Sequence, residues 1–380
     1  MKIVLVGPVF PYRGGISHFN TQLSHGLLDR GHDVHIYSFR RQYPGWLYPG
    51  VTDKEVGSSA EPIEAQYTLD PMYPWTWVKT ASMIEDIAPE VVIIHWWTTF
   101  WSLAYWSLVK LLQRSNHKII YIIHNVAPHE PMPWDNWLAR NVLKLGESHI
   151  VQSPNEKQRL EELIPGSHPV LCPHPVYNQF SGDKTLTKDE ARRQLGLKND
   201  GPIVLFFGIV RPYKGLFYAL QAISILNKEG ISIRMLVAGE FWEQIEEYED
   251  LIINLGITDQ IIIYNRYIPN EDVSLFFSAA DVFIAPYTGG TQSGSVKIAM
   301  SFNLPIIATD RISDDIMLDS EFVHTVPSED SQALAEAIKE LIVQKSPEIP
   351  NTTAPDTSWV DLITAIENQV DQNLEIKGSV

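Results

Sequence analysis

Lys2 to Val6 opens the chain as a short apolar run that predicts a buried strand. The following stretch, Gly7 to Gly15 (GPVFPYRGG), holds the Pro and Gly that forbid regular structure. Ile16, Phe19, Leu23 and Leu27 then recur at helical spacing until Gly31 stops the run, and Val34 to Phe39 predicts a second strand. Strand, glycine loop, helix and strand in that order are a βαβ unit. Residues 40 to 77 are rich in Pro, Gly and aromatics without a period, so a long ordered loop is expected there. The runs Val91 to Ile94 and Ile119 to Ile123 are apolar throughout, as strands of a parallel sheet covered on both faces must be. A histidine follows each run, His95 and His124.

A polar, proline-broken segment from Pro173 to Pro202 has room for one short helix and places a domain boundary. Beyond it, Ile203 to Phe207, Ile233 to Val237, Ile261 to Tyr264, Val282 to Ala285 and Pro305 to Ala308 predict a second set of buried strands separated by helices. A last periodic helix, around Trp359 to Val370, is expected to pack back on the first half. The pattern predicts an α/β protein of two Rossmann-like, doubly wound parallel-sheet domains facing across a cleft. Residues 1–175 form the first domain, 176–350 the second, and 351–380 the returning helix. A length of 380 residues gives each domain enough apolar sequence for its own core.

Composition narrows the function. One cysteine, Cys172, rules out an intramolecular disulfide framework and a Cys-based zinc site, which suits a reducing, cytoplasmic compartment. No run offers the ~20 apolar residues of a spanning helix. A net charge of −17 argues against a general affinity for nucleic acid. That charge is uneven. Residues 1 to 180 hold 14 Lys+Arg against 16 Asp+Glu, so the first half is near neutral and the remainder carries −15. Nine of the 11 tryptophans also lie in the first half. Aromatic rings stack on sugars and sit at membrane interfaces, although filling a core is the expectation for most of them.

In an open parallel sheet, ligands bind beyond the carboxyl ends of the strands, so the loops there carry the candidate chemistry. Gly14-Gly15 stands at a helix entry, where N–H groups and the helix dipole favour an anion; a turn that merely needs glycine accounts for it equally. His124-Asn125 ends a strand, followed by Pro128-His129-Glu130. The loop Gly208-Ile209-Val210-Arg211-Pro212-Tyr213-Lys214-Gly215 sets two permanent cations beside N–H donors at a helix start, the outline of a diphosphate clamp. Pro286 to Gly294 (PYTGGTQSG) leads into a helix over Ser295 to Phe302 and offers hydroxyls and an amide for ribose or sugar, or is a plain glycine-rich connection.

Taken together and in order, these loops resemble the retaining family 4 glycosyltransferases of the GT-B fold, a group with many bacterial polysaccharide-assembly enzymes. The resemblance runs over nearly the whole chain. It rests on the P-x-x-x-x-G-G ahead of the first helix, His124-Asn125, and the G-x-x-R-x-x-K-G of Gly208 to Gly215. Ala238-Gly239-Glu240, Asn265-Arg266-Tyr267-Ile268-Pro269 and Leu304 to Thr309 add to it. It implies a nucleotide diphospho-sugar donor with Arg211 and Lys214 on the diphosphate, Gly14 and Gly15 capping it, and Arg266, Tyr267 and Ile268 receiving the base. Gly208, Gly215, Gly239 and Glu240 belong to the same donor site. It also implies that His124 contacts the transferred sugar, with transfer on one face assisted by the leaving phosphate. No cofactor and no metal are expected, since fixed cations neutralise the leaving group.

Many members of the family carry two glutamates with seven residues between them where this chain has Gly290 and Ile298. Here the loop reads Thr291-Gln292-Ser293-Gly294, as in a subset of bacterial polysaccharide transferases, and ribose and sugar contacts pass to neutral groups. The acceptor is expected on the first domain, a glycan or polyprenyl-linked glycan, with His95, Trp96 and Trp97 beside it and one indole stacked on a sugar. Trp101 to Leu112 is apolar around most of a helix, which suits a buried helix or a peripheral contact with the inner face of the cell membrane. The missing glutamates leave a second reading, a non-catalytic GT-B partner that binds nucleotide or glycan. A sugar-nucleotide epimerase is a third, for which acid-base carboxylates are wanting.

Overall fold

The apolar runs become parallel strands because both of their faces are covered. The computed structural model describes the chain apart from residues 49, 51, 56–62, 116, 129–131, 176, 178–179, 181–185, 199–200, 291–292, 313–322, 344–358 and 378–380, with backbone alone for 372–377. The candidate residues Thr291, Gln292, His129 and Glu130 lie outside the described residues. Two units emerge, one of Met1–His174 with Thr357–Val380 and one of Pro175–Asp356.

The first unit runs β1 (Lys2–Val6), α1 (Gly15–Asp29), β2 (Asp33–Phe39), β3 (Gln66–Leu69), α2 (Pro74–Ile87), β4 (Val91–Trp96), α3 (Ser102–Leu112), β5 (Lys118–Ile123), α4 (Asp135–Leu143), β6 (Ser148–Val151), α5 (Pro154–Leu163) and β7 (Val170–Leu171). Its parallel sheet has the order β3-β2-β1-β4-β5-β6-β7, which reverses direction between β1 and β4. Alternation splits each strand between two cores. Val4, Val6, Val92, Ile94 and Trp96 pack with α2, α3 and α4, while Ile3, Leu5, Val91 and Ile93 pack with Phe19, Leu23 and Leu27 of α1.

Residues 40 to 77 are not one loop, because β3 and the start of α2 fall inside them. Edge strand β3 (QYTL) is mostly polar and leaves two residues exposed, so it carries no apolar run. Helix α2 begins on Pro74, which the first turn tolerates. Strand β4 also runs two residues past the apolar stretch and takes in His95 and Trp96.

In the second unit α6 (Lys188–Gln194) precedes β8 (Ile203–Phe207), α7 (Leu216–Lys228), β9 (Arg234–Ala238), α8 (Ile245–Leu255), β10 (Ile261–Tyr264), α9 (Asn270–Ala279), β11 (Val282–Ala285), α10 (Gly294–Ser301), β12 (Ile306–Thr309), β13 (Val323–Val326) and α11 (Ser331–Val343). The sheet order is β10-β9-β8-β11-β12-β13, again parallel, reversing between β8 and β11. A final helix, α12 (Trp359–Lys377), belongs to the first unit. It sends Leu362, Ile363, Ile366 and Val370 into the core shared with α1, and the Trp359 ring lies 5.1 Å from Phe19. No described helix is long and apolar enough to cross a membrane.

Candidate functional site

The second unit gathers its candidate residues where its strand order reverses, the place where such sheets bind ligands. Strand β8 ends at Phe207, and Gly208 turns the chain with φ +108. A Cβ at Gly208 would stand 2.8 Å from Lys214 Nζ and 3.1 Å from Ser295 Oγ, so the missing side chain makes room for the ammonium. Arg211 leads into a single 3-10 turn over Pro212–Lys214, and Gly215, also left-handed, lies too close to the Pro286 carbonyl for any side chain. The two loops are tied further by Thr288 N donating to Tyr213 O at 2.7 Å.

Lys214 is partly buried with its ammonium 5.4 Å above the Tyr287 ring. Among the described residues no carboxylate reaches it. Burial lowers its pKa, and the like charge of Arg211 lowers it further. Arg211 lies over the rings of Tyr213 at 5.4 Å and Trp242 at 5.9 Å. The neighbouring loop is bound to this one by Val210 N donating to Glu240 O and Trp242 N to Val210 O. Gly239 sits against the Gly208 carbonyl, and the Trp242 indole N–H points at Glu240 Oε2 at 3.4 Å.

Asn265 Oδ1 accepts from Phe241 N at 3.0 Å, which brings the Arg266 to Ile268 loop alongside. Arg266 is paired with Asp272 at 2.8 Å and Ile268 is buried. Ser293 caps α10, accepting from Val296 N, and also bonds the Tyr287 hydroxyl at 3.0 Å. Its oxygen is therefore engaged within the fold. At Gly290 the backbone is left-handed, φ +122, and Ile298 is buried in α10, so both positions suit the residues they have. Tyr287, Ser295 and Trp242, which touch or flank the two cations, carried no role in the sequence reading. Their only signal was a hydroxyl- and aromatic-rich loop.

In the first unit Gly14 is the N-cap of α1 with φ +104, and no side chain caps the helix. At the β1/β4 reversal, His95 Nδ1 and His124 Nε2 are 3.3 Å apart, and Phe19 meets both rings edge-on. Burial lowers the His124 pKa to about 4, partly opposed by the Gln152 carboxamide, and burial with the neighbouring His124 also pushes His95 well down. Both are neutral imidazoles at pH 7.

The expected stacking platform is corrected here. Trp96 is wholly buried, its indole donating to Val126 O at 3.2 Å, and the Trp97 indole donates to the Tyr43 hydroxyl at 3.0 Å within the same core. His95 is wholly buried too, on the α1 face of the sheet. Strand alternation after Ile94 turns all three inward, leaving no ring face for a sugar. Nor do most tryptophans of this half fill the core: Trp77, Trp96, Trp97 and Trp101 are buried, whereas Trp46, Trp75, Trp106, Trp134 and Trp137 are exposed. No group of three or more His, Cys, Asp or Glu among the described residues is arranged to hold a metal ion.

Comparison with known proteins gives two family matches, Glycosyltransferase Family 4 over residues 13–177 and Glycosyl transferases group 1 over residues 201–344. A D-inositol 3-phosphate glycosyltransferase of Thermobispora bispora is 25% identical over 303 residues, 72% of this chain and 68% of that one. The TuaC protein of Bacillus subtilis, a putative teichuronic acid biosynthesis glycosyltransferase, is 27% identical over 162 residues, 42% of this chain and 38% of its own. For a 2-deoxystreptamine glucosyltransferase of Streptomyces kanamyceticus the identity is 27% over 121 residues, 32% of this chain, and the match spans only 31% of that relative's length. Among solved structures, Anabaena HepE in complex with UDP and glucose superposes with a TM-score of 0.74 at 15% identity, over 99% of this chain and 100% of the other. With parallel-sheet units of seven and six strands and these two domain matches, the chain belongs with the GT-B glycosyltransferases, carrying a family 4 domain followed by a group 1 domain.

Proposed function

We propose that this glycosyltransferase moves a sugar from a nucleotide diphospho-sugar to a glycan acceptor with retention of configuration, in the assembly of a lipid-linked cell-surface polysaccharide. The observation that carries the donor is Lys214, a partly buried ammonium with no carboxylate near it among the described residues and Arg211 beside it, at a strand-order reversal. Two neighbouring cations beside a helix start suit a polyvalent anion. A diphosphate fits, and the UDP held by HepE supports a nucleoside diphosphate.

In the transfer, the bond from the anomeric carbon to the diphosphate oxygen breaks as Arg211 and Lys214 take up the charge developing on that oxygen. The acceptor oxygen bonds to the same face of the carbon, and its proton passes to a leaving phosphate oxygen. On this reading Gly14 and Gly15 also serve the diphosphate, and His124, neutral at pH 7, offers the transferred sugar a polar contact rather than a charge. Gly208 and Gly239 clear the way for the phosphates. The Arg266 to Ile268 loop takes the base. The polysaccharide role is supported by the likeness to TuaC.

Calorimetric titration with UDP, GDP, ADP and dTDP, with and without EDTA, tests the donor. Saturable binding of one of them, insensitive to EDTA and weakened at least tenfold in Lys214→Ala and Arg211→Ala, is expected, because losing one partner of a charged pair costs roughly 2–5 kcal/mol. Binding unchanged in both variants would remove the clamp.

A further inference from the structure

Helices α2, α3 and α4 all start at the carboxyl edge of the first sheet and pack side by side over one face of it. Each presents an exposed apolar pair three residues apart near its first turns, Trp75 with Val78, Leu103 with Trp106 and Trp134 with Trp137. Pairs at that spacing share a helix face. Trp75, Leu103 and Trp137 are each about two-thirds exposed, at 65%, 65% and 67%. Scattered apolar residues on a surface are ordinary, but here three adjoining helix starts share the same feature along one rim of the unit.

The exposed charges of these helix starts are of one sign. Across residues 72–80, 99–107 and 132–141 the exposed charges are Lys79 and Arg140, both cationic, in a chain of net charge −17. The single carboxylate of these stretches, Asp135, is buried, where it accepts from Met132 N at 2.7 Å and from the Thr99 hydroxyl. Exposed tryptophans with aliphatic neighbours and basic shoulders match an interface whose outer layer is anionic and whose interior is hydrocarbon. Val78 and Leu103 add aliphatic surface beside the rings.

We propose that this rim of the first unit docks the enzyme peripherally on an anionic lipid bilayer. The partner deepens the reading of a lipid-linked acceptor and rests on it, since a membrane-held acceptor calls for an enzyme seated at that surface. Leu103 and Trp106 belong to the helix whose apolar sequence allowed either burial or membrane contact. Its other face, with Tyr105, Leu108 and Leu112, is the buried one.

Co-sedimentation of the full chain with large unilamellar vesicles tests it, using phosphatidylglycerol mixed with phosphatidylcholine against phosphatidylcholine alone. The expected result is binding to the anionic vesicles that weakens at high salt, with a blue shift of tryptophan emission. The pair Trp75→Ser with Leu103→Ser, and separately Lys79→Glu with Arg140→Glu, should each weaken partitioning at least tenfold while circular dichroism and UDP binding stay as in the wild type. Arg211→Ala should lose UDP and keep the vesicles, so failure of the donor site and failure of the rim are distinguishable. Absence of vesicle binding, or binding untouched by both pairs of substitutions, overturns the proposal. So does a concentration-dependent dimer abolished by Trp75→Ser with Leu103→Ser without vesicle binding, because the rim would then cover a second copy of the chain.

Discussion

Lys214 holds its charge at a cost to the free protein, because burial without a carboxylate disfavours the ammonium. Lys214→Met keeps the stem and removes the charge. It should raise the melting midpoint by a few degrees, about 1 kcal/mol, while abolishing the stabilisation that UDP confers; thermal shift with and without UDP reads both. A variant no more stable than wild type, and still responsive to UDP, refutes the role. Since the Lys214 pKa is lowered in the free protein and a bound diphosphate would restore it, affinity should fall as pH rises through that lowered value, before an ordinary lysine would titrate.

The buried histidines act with the opposite sense. His124 is depressed to about 4 from an unfolded value near 6.5, so below pH 6.5 the unfolded chain takes up a proton that the fold refuses. Stability should therefore decline as pH falls from about 6.5 toward 4, by about 3 kcal/mol for His124, and urea midpoints for His124→Gln should show a shallower slope over that window. At this scale the loop spacing was enough to set Arg211 and Lys214 on one turn after β8, because charged residues between glycines are visible in a string. Tyr287, Ser295 and Trp242 were not, since they reach the cations only through a second and a third loop. Trp96 lies in a strand two residues longer than its apolar run, and those two residues set its ring in the core rather than in solvent.

Elements are held by small numbers of contacts that can be removed one at a time. Ser293 both caps α10 and bonds Tyr287, whose hydroxyl burial keeps protonated with a pKa near 12. Ser293→Ala should cost about 1–2 kcal/mol in chemical denaturation, with Ser293→Thr keeping most of it, because one oxygen serves a helix N–H and a buried hydroxyl. Helix α12 is held by Leu362, Ile363 and Ile366, by the Trp359 ring on Phe19, and by Arg30 and His32 at Thr364 and Glu367; Ile366 is wholly buried against the α1 core. Ile366→Ala should cost about 2–5 kcal/mol by the cavity it leaves. The strands with continuous apolar runs could be read from their residues within one or two positions. Strands β3, β6, β7 and β13 could not: each has four residues or fewer, and their stability comes from neighbours already in the sheet rather than from their own pattern.

At the scale of the whole molecule, each unit has an apolar core of its own among the described residues. The repeated alternation of strand and helix announced two doubly wound sheets, while the five exposed tryptophans defied a composition argument that counts residue types without knowing which helix face they occupy. Separate cores favour separate unfolding transitions. Ile366→Ala identifies the transition of the first unit as the one it lowers. UDP at 100 times its dissociation constant adds about 2.7 kcal/mol to whichever unit holds it, so with Lys214 and Arg211 as the clamp the other transition should move up in calorimetry. An upward shift confined to the transition that Ile366→Ala lowers would place the diphosphate on the first unit, beside Gly14 and Gly15, and leave the two cations of the second without a ligand.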